Sequence, residues 1–185
     1  GTGSGYNRGV FAWNRENGDD ELYQVYGSDM YKYNGSSFVS IGSGFGTASG
    51  AVEFGVSFIN TGTGVGTGAE TFVERLYVTQ GIEGPVQYTT GTSMASLANV
   101  CAKHLEVYKG RLYLGNVKTG SKTYPSRVIF SEVSKDSFPE NNYFDDMGEG
   151  ITGLKEYSGA LFVFTQDKVA AWDEYSLTVL NTNGG

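Results

Sequence analysis

Two stretches of sequence, HLEVYKGRLYL (residues 104–114) and GLKEYSGALFV (residues 153–163), decide the fold of this chain because each is a copy of the other. They match at an offset of 49 residues. The paired positions are Leu105 with Leu154, Tyr108 with Tyr157, Gly110 with Gly159 and Leu112 with Leu161. Each copy consists of two short apolar segments around a glycine-containing turn, which is the pattern of a β-hairpin.

Weaker copies of the second hairpin strand occur upstream, in ELYQVYG from Glu21 and in RLYVTQG from Arg75. The Leu-aromatic pairs of the four copies begin at Leu22, Leu76, Leu112 and Leu161. Their spacings of 54, 36 and 49 residues scatter around the roughly 40–50 residues of a four-stranded propeller blade. Repeats of this length predict a series of similar β-units.

Another apolar stretch follows each pair and supplies a third strand and, after a turn, a fourth. These stretches are MYKYNGSSF from Met30, VQYTTGTSM from Val86, VIFSEVSKDSF from Val128 and VAAWDEYSL from Val169. We therefore predict an all-β, β-propeller-like fold of about four blades of antiparallel strands, with a β-sandwich or a β-solenoid as the alternative. Residues 1–185 are expected to form a single propeller-like domain.

The patterns of apolar residues and glycines predict further features of the strands and of their connections. LFVF (residues 161–164) and VIF (residues 128–130) are apolar at successive positions, so both faces of these strands should be buried. The helix-like spacing of Met94, Leu97 and Cys101 is expected to be a loop or a single turn. The glycine-rich segments between units are expected to be flexible connections, where binding function often lies. They are GTGSG from Gly1, GSGFG from Gly42 and TGTGVGTG from Thr61.

Composition narrows the class of protein. Twenty-eight Gly against 3 Pro, with 13 Tyr and 11 Phe, is typical of a turn-rich β-protein. The net charge of −7 is spread without a basic run, which disfavours direct nucleic-acid binding. Cys101 is the single thiol, so no intramolecular disulfide forms, and no Cys/His grouping has the spacing of a zinc site. No apolar run approaches ~18 residues, so neither a membrane span nor a signal peptide is visible.

The two ends of the sequence suggest a fragment or a processed product of a larger protein. The chain starts with Gly1 instead of Met, and it ends in the turn residues NTNGG.

The segment GTSMAS from Gly91 resembles the surroundings of the nucleophilic serine in subtilisin-like proteases, with Ser93 as the nucleophile. In that family proline follows, whereas Leu97 follows here, and the family's histidine lies upstream. The single histidine of this chain, His104, lies downstream. Because a serine needs a nearby base and the base needs a carboxylate, the protease interpretation is disfavoured.

Other motifs also favour structural interpretations. His104 has no partner for a metal site, and DDMGE from Asp145 lacks the Asp/Asn/Gly spacing of a calcium loop. GTGVGTG never forms G-x-G-x-x-G, and GNVKTGSKT from Gly115 lacks the lysine position of a phosphate loop. Trp13, Trp172 and the many tyrosines could stack on sugars, although most belong to the repeat. No carboxylate pair stands out for glycoside hydrolysis.

From Lys103 to Asp146, KHLEVYKGRLYLGN…PSRVIFSEVSKDSFPENNYFDD resembles β-propeller-type virion proteins of tailed bacteriophages, including packaged-DNA stabilisation and tail-hub proteins. GSDMYKYNG from Gly27 and PVQYTTGTS from Pro85 are similar to a blade element that recurs in them. The resemblance implies a structural part of the virion, at the neck or tail, in a ring of identical copies. It carries no catalytic residues to transfer, and such proteins are usually larger than this chain.

The expected function is therefore a structural component of a phage-like virion, not an enzyme. The expected partners are other copies of the chain and neighbouring virion proteins, contacted through polar loops in a symmetric ring. No catalytic, cofactor-binding or metal-binding residue and no cofactor is predicted. The alternative is a carbohydrate-binding propeller, such as an adhesin or lectin with a host-surface glycan as its partner.

Overall fold

The structure is a computed structural model that describes residues 5–46, 50–62, 66, 68–97 and 99–180. These residues form sixteen strands in four antiparallel sheets of four strands, without a helix. The strands of every sheet lie in chain order, so each sheet is an up-and-down meander of one contiguous segment. The prediction of an all-β, propeller-like fold with four blades is confirmed.

The strand bounds show how the four sheets follow one another. Sheet 1 contains β1 (Asn7–Asn14), β2 (Asp20–Tyr26), β3 (Asp29–Tyr33) and β4 (Phe38–Ser43). Sheet 2 contains β5 (Glu53–Asn60), β6 (Phe72–Thr79), β7 (Gln87–Thr89) and β8 (Met94–Ser96). Sheet 3 contains β9 (Val100–Tyr108), β10 (Arg111–Thr119), β11 (Lys122–Phe130) and β12 (Tyr143–Phe144). Sheet 4 contains β13 (Gly153–Tyr157), β14 (Ala160–Phe164), β15 (Val169–Trp172) and β16 (Leu177–Leu180).

The two hairpins that match in sequence also match in their turns. Lys109 and Gly110 have φ angles of 48° and 71°, and Ser158 and Gly159 have φ angles of 52° and 79°. A two-residue turn with both φ angles positive twists in the same sense as its strands. Glycine enters this conformation without a steric penalty, which explains its place in both copies.

The Leu-aromatic pairs lie on the second strand of every sheet and, in sheets 2 and 3, connect it to both neighbours. Adjacent residues of a strand project to opposite faces. The leucines of sheets 2 to 4 pack against the preceding sheet, and the aromatic residues of sheets 1 to 3 pack against the following sheet. Six of these side chains are fully buried in this way: Leu76, Leu112, Leu161, Tyr23, Tyr77 and Tyr113.

Three hydrophobic cores hold the sheets in sequence order. The first lies between sheets 1 and 2, the second between sheets 2 and 3, and the third between sheets 3 and 4. Within the part of the chain that the structure describes, no core cluster joins sheet 1 to sheet 4. Each of these two sheets therefore has one face that no other sheet covers.

The expectation of strands buried on both faces is confirmed for one segment and is only half right for the other. Val128 and Ile129 are both buried, because sheet 3 lies between two other sheets. In LFVF, Leu161 is buried, whereas Phe162 and Phe164 are half-buried. These phenylalanines point away from sheet 3, where no further sheet packs.

Two expectations about connections are wrong. Met94 and Cys101 lie in strands β8 and β9, because the helix-like spacing spans the turn between them, from which Leu97 packs into the core. GSGFG is a packed connection, because Gly42 belongs to β4 and Phe45 is buried between sheets 1 and 2. Most of GTGSG, half of TGTGVGTG and all of NTNGG lie outside the described residues.

A search of the described residues finds no helix with the length and apolar character needed to cross a membrane.

Candidate interaction surfaces

A polar cluster around two carboxylates lies where sheet 1 meets sheet 2. Trp13 Nε1 donates to Glu74 Oε1 at 2.8 Å, and Arg15 Nε lies 3.4 Å from Glu74 Oε2. The Tyr23 hydroxyl donates to Glu21 Oε2 at 2.6 Å. The Arg15 guanidinium also stacks over the Trp13 ring at 4.4 Å. Both carboxylates therefore have structural partners at the contact between the sheets.

The ionisation of Glu21 contributes to the pH dependence of stability. Burial opposes its charged form, but hydrogen bonds from Lys32 and Tyr23 outweigh burial and lower the pKa of Glu21 from its ordinary value. A carboxyl with a lowered pKa stabilises the folded state above its unfolded pKa of about 4. This contribution is lost as the pH falls through the lowered pKa of the folded state.

We expect Glu21→Gln to destabilise the fold at pH 7, because the amide cannot replace the carboxylate beside Lys32 and Arg15. The difference from wild type should shrink as the pH falls below about 4, since wild type then loses the same charge. Urea unfolding at several pH values measures this difference. Glu16→Gln in the exposed β1–β2 turn is the matched control. A Glu21→Gln deficit that stays constant from pH 7 to pH 3 would contradict the assignment.

The contact between sheets 2 and 3 has a related cluster. The Tyr77 hydroxyl donates to Asp136, which also pairs with Arg75. Burial and the hydrogen bond to Asp136 raise the pKa of Tyr77, so its hydroxyl stays protonated. The Arg75 guanidinium lies 4.5 Å from the centre of the Tyr88 ring. The aromatic residue of this Leu-aromatic pair thus has a polar partner from the loop of the next sheet.

The contact between sheets 3 and 4 is rich in aromatic residues. The Trp172 ring stacks on Phe144 at 4.6 Å, and Trp172 Nε1 donates to the Tyr113 hydroxyl at 3.3 Å. The Tyr108 hydroxyl donates at 2.7 Å to the carbonyl oxygen of Gly159, in the first turn of sheet 4. Aromatic residues of sheet 3 thus contact both the first turn and the third strand of sheet 4.

Ser93 and His104, the two residues of the protease resemblance, have separate partners. Ser93 is exposed, and its backbone oxygen accepts a hydrogen bond from Thr89 Oγ1 at 2.7 Å. His104 Nδ1 lies 2.8 Å from Glu53 Oε1, at the contact between sheets 2 and 3. No hydrogen bond between described residues joins Ser93 to His104. The structure therefore places a carboxylate beside the histidine but no histidine beside the serine.

We expect Ser93 to remain unlabelled by a fluorophosphonate probe, because a serine without a base is a weak nucleophile. Mass spectrometry of the treated protein measures the labelling, with a serine protease as the positive control. Ser93→Ala should give the same result as wild type. Stoichiometric labelling of Ser93 would show that the enzyme interpretation is correct.

The acidic run and the remaining motifs lie in structural contacts. Asp145 pairs with Arg127 at 2.8 Å, and Glu149 pairs with Lys168 at 3.2 Å. Among the described residues, no three His, Cys, Asp or Glu side chains are grouped so that they could hold a metal. GNVKTGSKT forms the end of β10, a turn and the start of β11, which is not the strand-to-helix context of a phosphate loop. Cys101 is a free thiol, and burial raises its pKa.

The tryptophans considered as sugar-stacking residues are not accessible. Trp13 lies in the core between sheets 1 and 2, and Trp172 lies in the core between sheets 3 and 4. Both side chains are buried. Neither ring can therefore stack on a sugar without opening a contact between two sheets.

The outer face of sheet 4 is largely apolar, although the register also places Lys155 and Thr178 on it. The register places Phe162 beside Ala171 and Phe164 beside Val169, which is paired with Leu180. The same face includes Tyr157, which is 70% exposed, and Ala160. We call this set of residues the sheet 4 end face: Tyr157, Ala160, Phe162, Phe164, Val169, Ala171 and Leu180.

The outer face of sheet 1 is the second uncovered surface. One row across the strands consists of Ala12, Leu22, Tyr33 and Phe38, and the next consists of Val10, Gln24, Tyr31 and Ser40. Val10 is 51% exposed, and Leu22 is half-buried although its three repeat equivalents are fully buried. We call these eight residues the sheet 1 end face.

Sequence reasoning identified some residues of both end faces but not their exposure. Leu22 was recognised as the first leucine of the repeat, and Phe162 lies in the last Leu-aromatic pair. The available signal was their position in the first and last copies. Among the described residues, no unit precedes the first copy or follows the last copy to cover these residues.

No protein-family model and no curated protein sequence matches this chain.

Proposed function

We propose that this protein is a structural component of a phage-like virion, at the neck or tail, and that its role is assembly without catalysis. The observation that carries the proposal is the pair of largely apolar end faces that no other described sheet covers. Largely apolar surface of this kind is unusual on a protein that acts alone and usually marks a contact with another macromolecule. An assembled particle supplies such contacts permanently.

The resemblance to virion proteins supports the location. Its strongest part, from Lys103 to Asp146, forms most of sheet 3 and the beginning of the connection to sheet 4. This part contains Tyr108, Tyr113 and Phe144, which pack against sheet 4. The residues that carry the resemblance are thus the ones that join consecutive sheets, which fits a structural role.

The experiment is to purify intact particles from the source of the protein and to quantify the chain by mass spectrometry. We expect a fixed number of copies per particle and symmetric density for them by electron microscopy. Particles assembled without the gene should lack the neck or tail structure. Absence of the chain from purified particles would overturn the proposal.

The proposal differs from the sequence-based expectation in the surfaces used for assembly. Contacts through polar loops were expected on the premise that every sheet face is covered within the chain. The end faces of sheets 1 and 4 do not meet this premise, so they are better candidates for contacts than the loops.

A further inference from the structure

We propose that the protein associates head to tail with a second copy of itself, through the sheet 4 end face of one copy and the sheet 1 end face of the next. The inference rests on the proposed structural role and names the partner and the surfaces that this role would use. Its basis is that the chain already contains three contacts of the same kind between consecutive sheets.

The covered face of sheet 3 is the template for the sheet 4 end face. Positions on the covered face of sheet 3 have equivalents on the outer face of sheet 4. Tyr113 pairs with Phe130 in sheet 3, and Phe162 pairs with Ala171 in the same way in sheet 4. Val128 pairs with Gly115 on one side and Phe144 on the other, and Val169 pairs with Phe164 and Leu180 in the same way. Further equivalent pairs are Tyr108 with Tyr157, Gly115 with Phe164, Phe144 with Leu180 and the charged residues Glu106 with Lys155.

The equivalent residues differ sharply in exposure. Tyr108 is 3% exposed, whereas Tyr157 is 70% exposed. Phe144 is 5% exposed, whereas Leu180 is 41% exposed. Sheet 4 covers the first member of each pair, whereas no described sheet covers the second member. We therefore expect the sheet 4 end face to pack against a sheet whose surface is similar to the face of sheet 4 that packs on sheet 3.

The sheet 1 end face is that kind of surface. Sheet 4 packs on sheet 3 through a face whose members, in register, are Leu154, Leu161, Val163, Ala170, Trp172 and Leu177. The equivalent members in sheet 1 are Val10, Leu22, Gln24, Tyr31, Tyr33 and Phe38. Five of these six are apolar or aromatic. The sheet 1 end face is therefore similar to the face with which sheet 4 packs on sheet 3, but no preceding sheet covers it in the described chain.

Two copies joined in this way bring eight sheets together, since each chain contributes four. Eight blades lie within the range of about four to eight found in closed propellers. Because the contact joins two different surfaces, it closes as a ring when the rotation per sheet allows and otherwise extends as a filament. Both forms use the same contact.

The test uses the 185-residue chain and one charged substitution at the most exposed large hydrophobic residue of each end face. Tyr157→Glu changes the sheet 4 end face and Val10→Glu changes the sheet 1 end face, and neither side chain belongs to a core cluster. Val133→Glu, at an exposed apolar position outside both faces, is the matched control. Circular dichroism and thermal melting establish that each variant folds. Phe162→Glu and Leu22→Glu form a second pair if either first variant is unstable.

Sedimentation equilibrium and light scattering should show self-association of wild type and of the control. Each end-face variant should be at least roughly 30-fold weaker in self-association, as expected for the loss of an interface hot spot. Mixing Tyr157→Glu with Val10→Glu should restore a one-to-one complex, because each variant keeps the face that the other has lost.

Three results would overturn the inference. The first is a wild-type protein that stays monomeric at about 100 μM, because its self-association would then be weaker than that of most specific contacts. The second is self-association that only one of the two variants abolishes, and the third is the absence of a complex in the mixture. The second result would indicate a symmetric contact of one face with itself. None of these results decides whether the chain occurs in virions, which the particle analysis tests separately.

Discussion

Replacing Leu112 with alanine is expected to lower the free energy of unfolding by about 2–5 kcal/mol. Leu112 is the leucine of the third Leu-aromatic pair, and it is buried in the core between sheets 2 and 3. Removing its side chain takes apolar surface away from that core and leaves a cavity which the surrounding strands cannot fill, because their backbone hydrogen bonds hold them in place. Urea or thermal unfolding measures the loss.

The repeat provides matched positions for the same substitution. Leu161→Ala should cost as much as Leu112→Ala, because Leu161 occupies the equivalent position between sheets 3 and 4. Leu22→Ala should cost clearly less when the chain is dilute enough to be monomeric, because Leu22 lies on the uncovered face of sheet 1. Equal losses at Leu22 and Leu112, or an unchanged melting temperature for Leu112→Ala or Leu161→Ala, would show that the assignment of the repeat to preceding sheets is wrong.

Trp172→Ala should be at least as damaging, with an expected loss of about 3–5 kcal/mol. The indole is buried between sheets 3 and 4, where it stacks on Phe144 and donates to Tyr113. Its removal takes away the largest side chain that sheet 4 contributes to this core and also leaves the buried Tyr113 hydroxyl without its donor. Thermal unfolding and near-ultraviolet circular dichroism both report the change.

Trp172→Phe separates the two contributions. Phenylalanine keeps an aromatic ring beside Phe144 but has no donor for Tyr113, so its loss should be about half that of alanine or less. Trp13→Phe is a comparable test at the contact between sheets 1 and 2, where the donor serves Glu74. If Trp172→Phe were as unstable as Trp172→Ala, the hydrogen bond and not the ring would dominate this contact.

Most of the architecture could be predicted because the repeat is local. A Leu-aromatic pair specifies the second strand of a sheet, and the glycine shortly before the pair specifies the hairpin turn, as Gly110 and Gly159 show. These features depend on residues close in sequence. The four leucines at Leu22, Leu76, Leu112 and Leu161 therefore identified the second strand of every sheet.

The exposure of the end faces could not be predicted, because it depends on whether another sheet packs against them. Phe162 and Tyr113 occupy equivalent strand positions with similar side chains, yet one is half-exposed and the other is buried. Nothing within either segment states whether another sheet follows. The polar partners of the tyrosines were equally hidden, since Asp136 reaches Tyr77 from a loop 59 residues away.

The arrangement of the strands in chain order has a consequence for how the protein is made. Each sheet is complete once its own contiguous segment has left the ribosome, because all of its hydrogen-bonded strands are sequence neighbours. Loop closure between such neighbours costs little conformational entropy, so a sheet can form without waiting for distant parts of the chain. Every new sheet then finds its docking surface already present on the one before it. Synthesis from the N-terminus thus adds the sheets one at a time, and the newest of sheets 1 to 3 presents an apolar face until the next sheet packs against it.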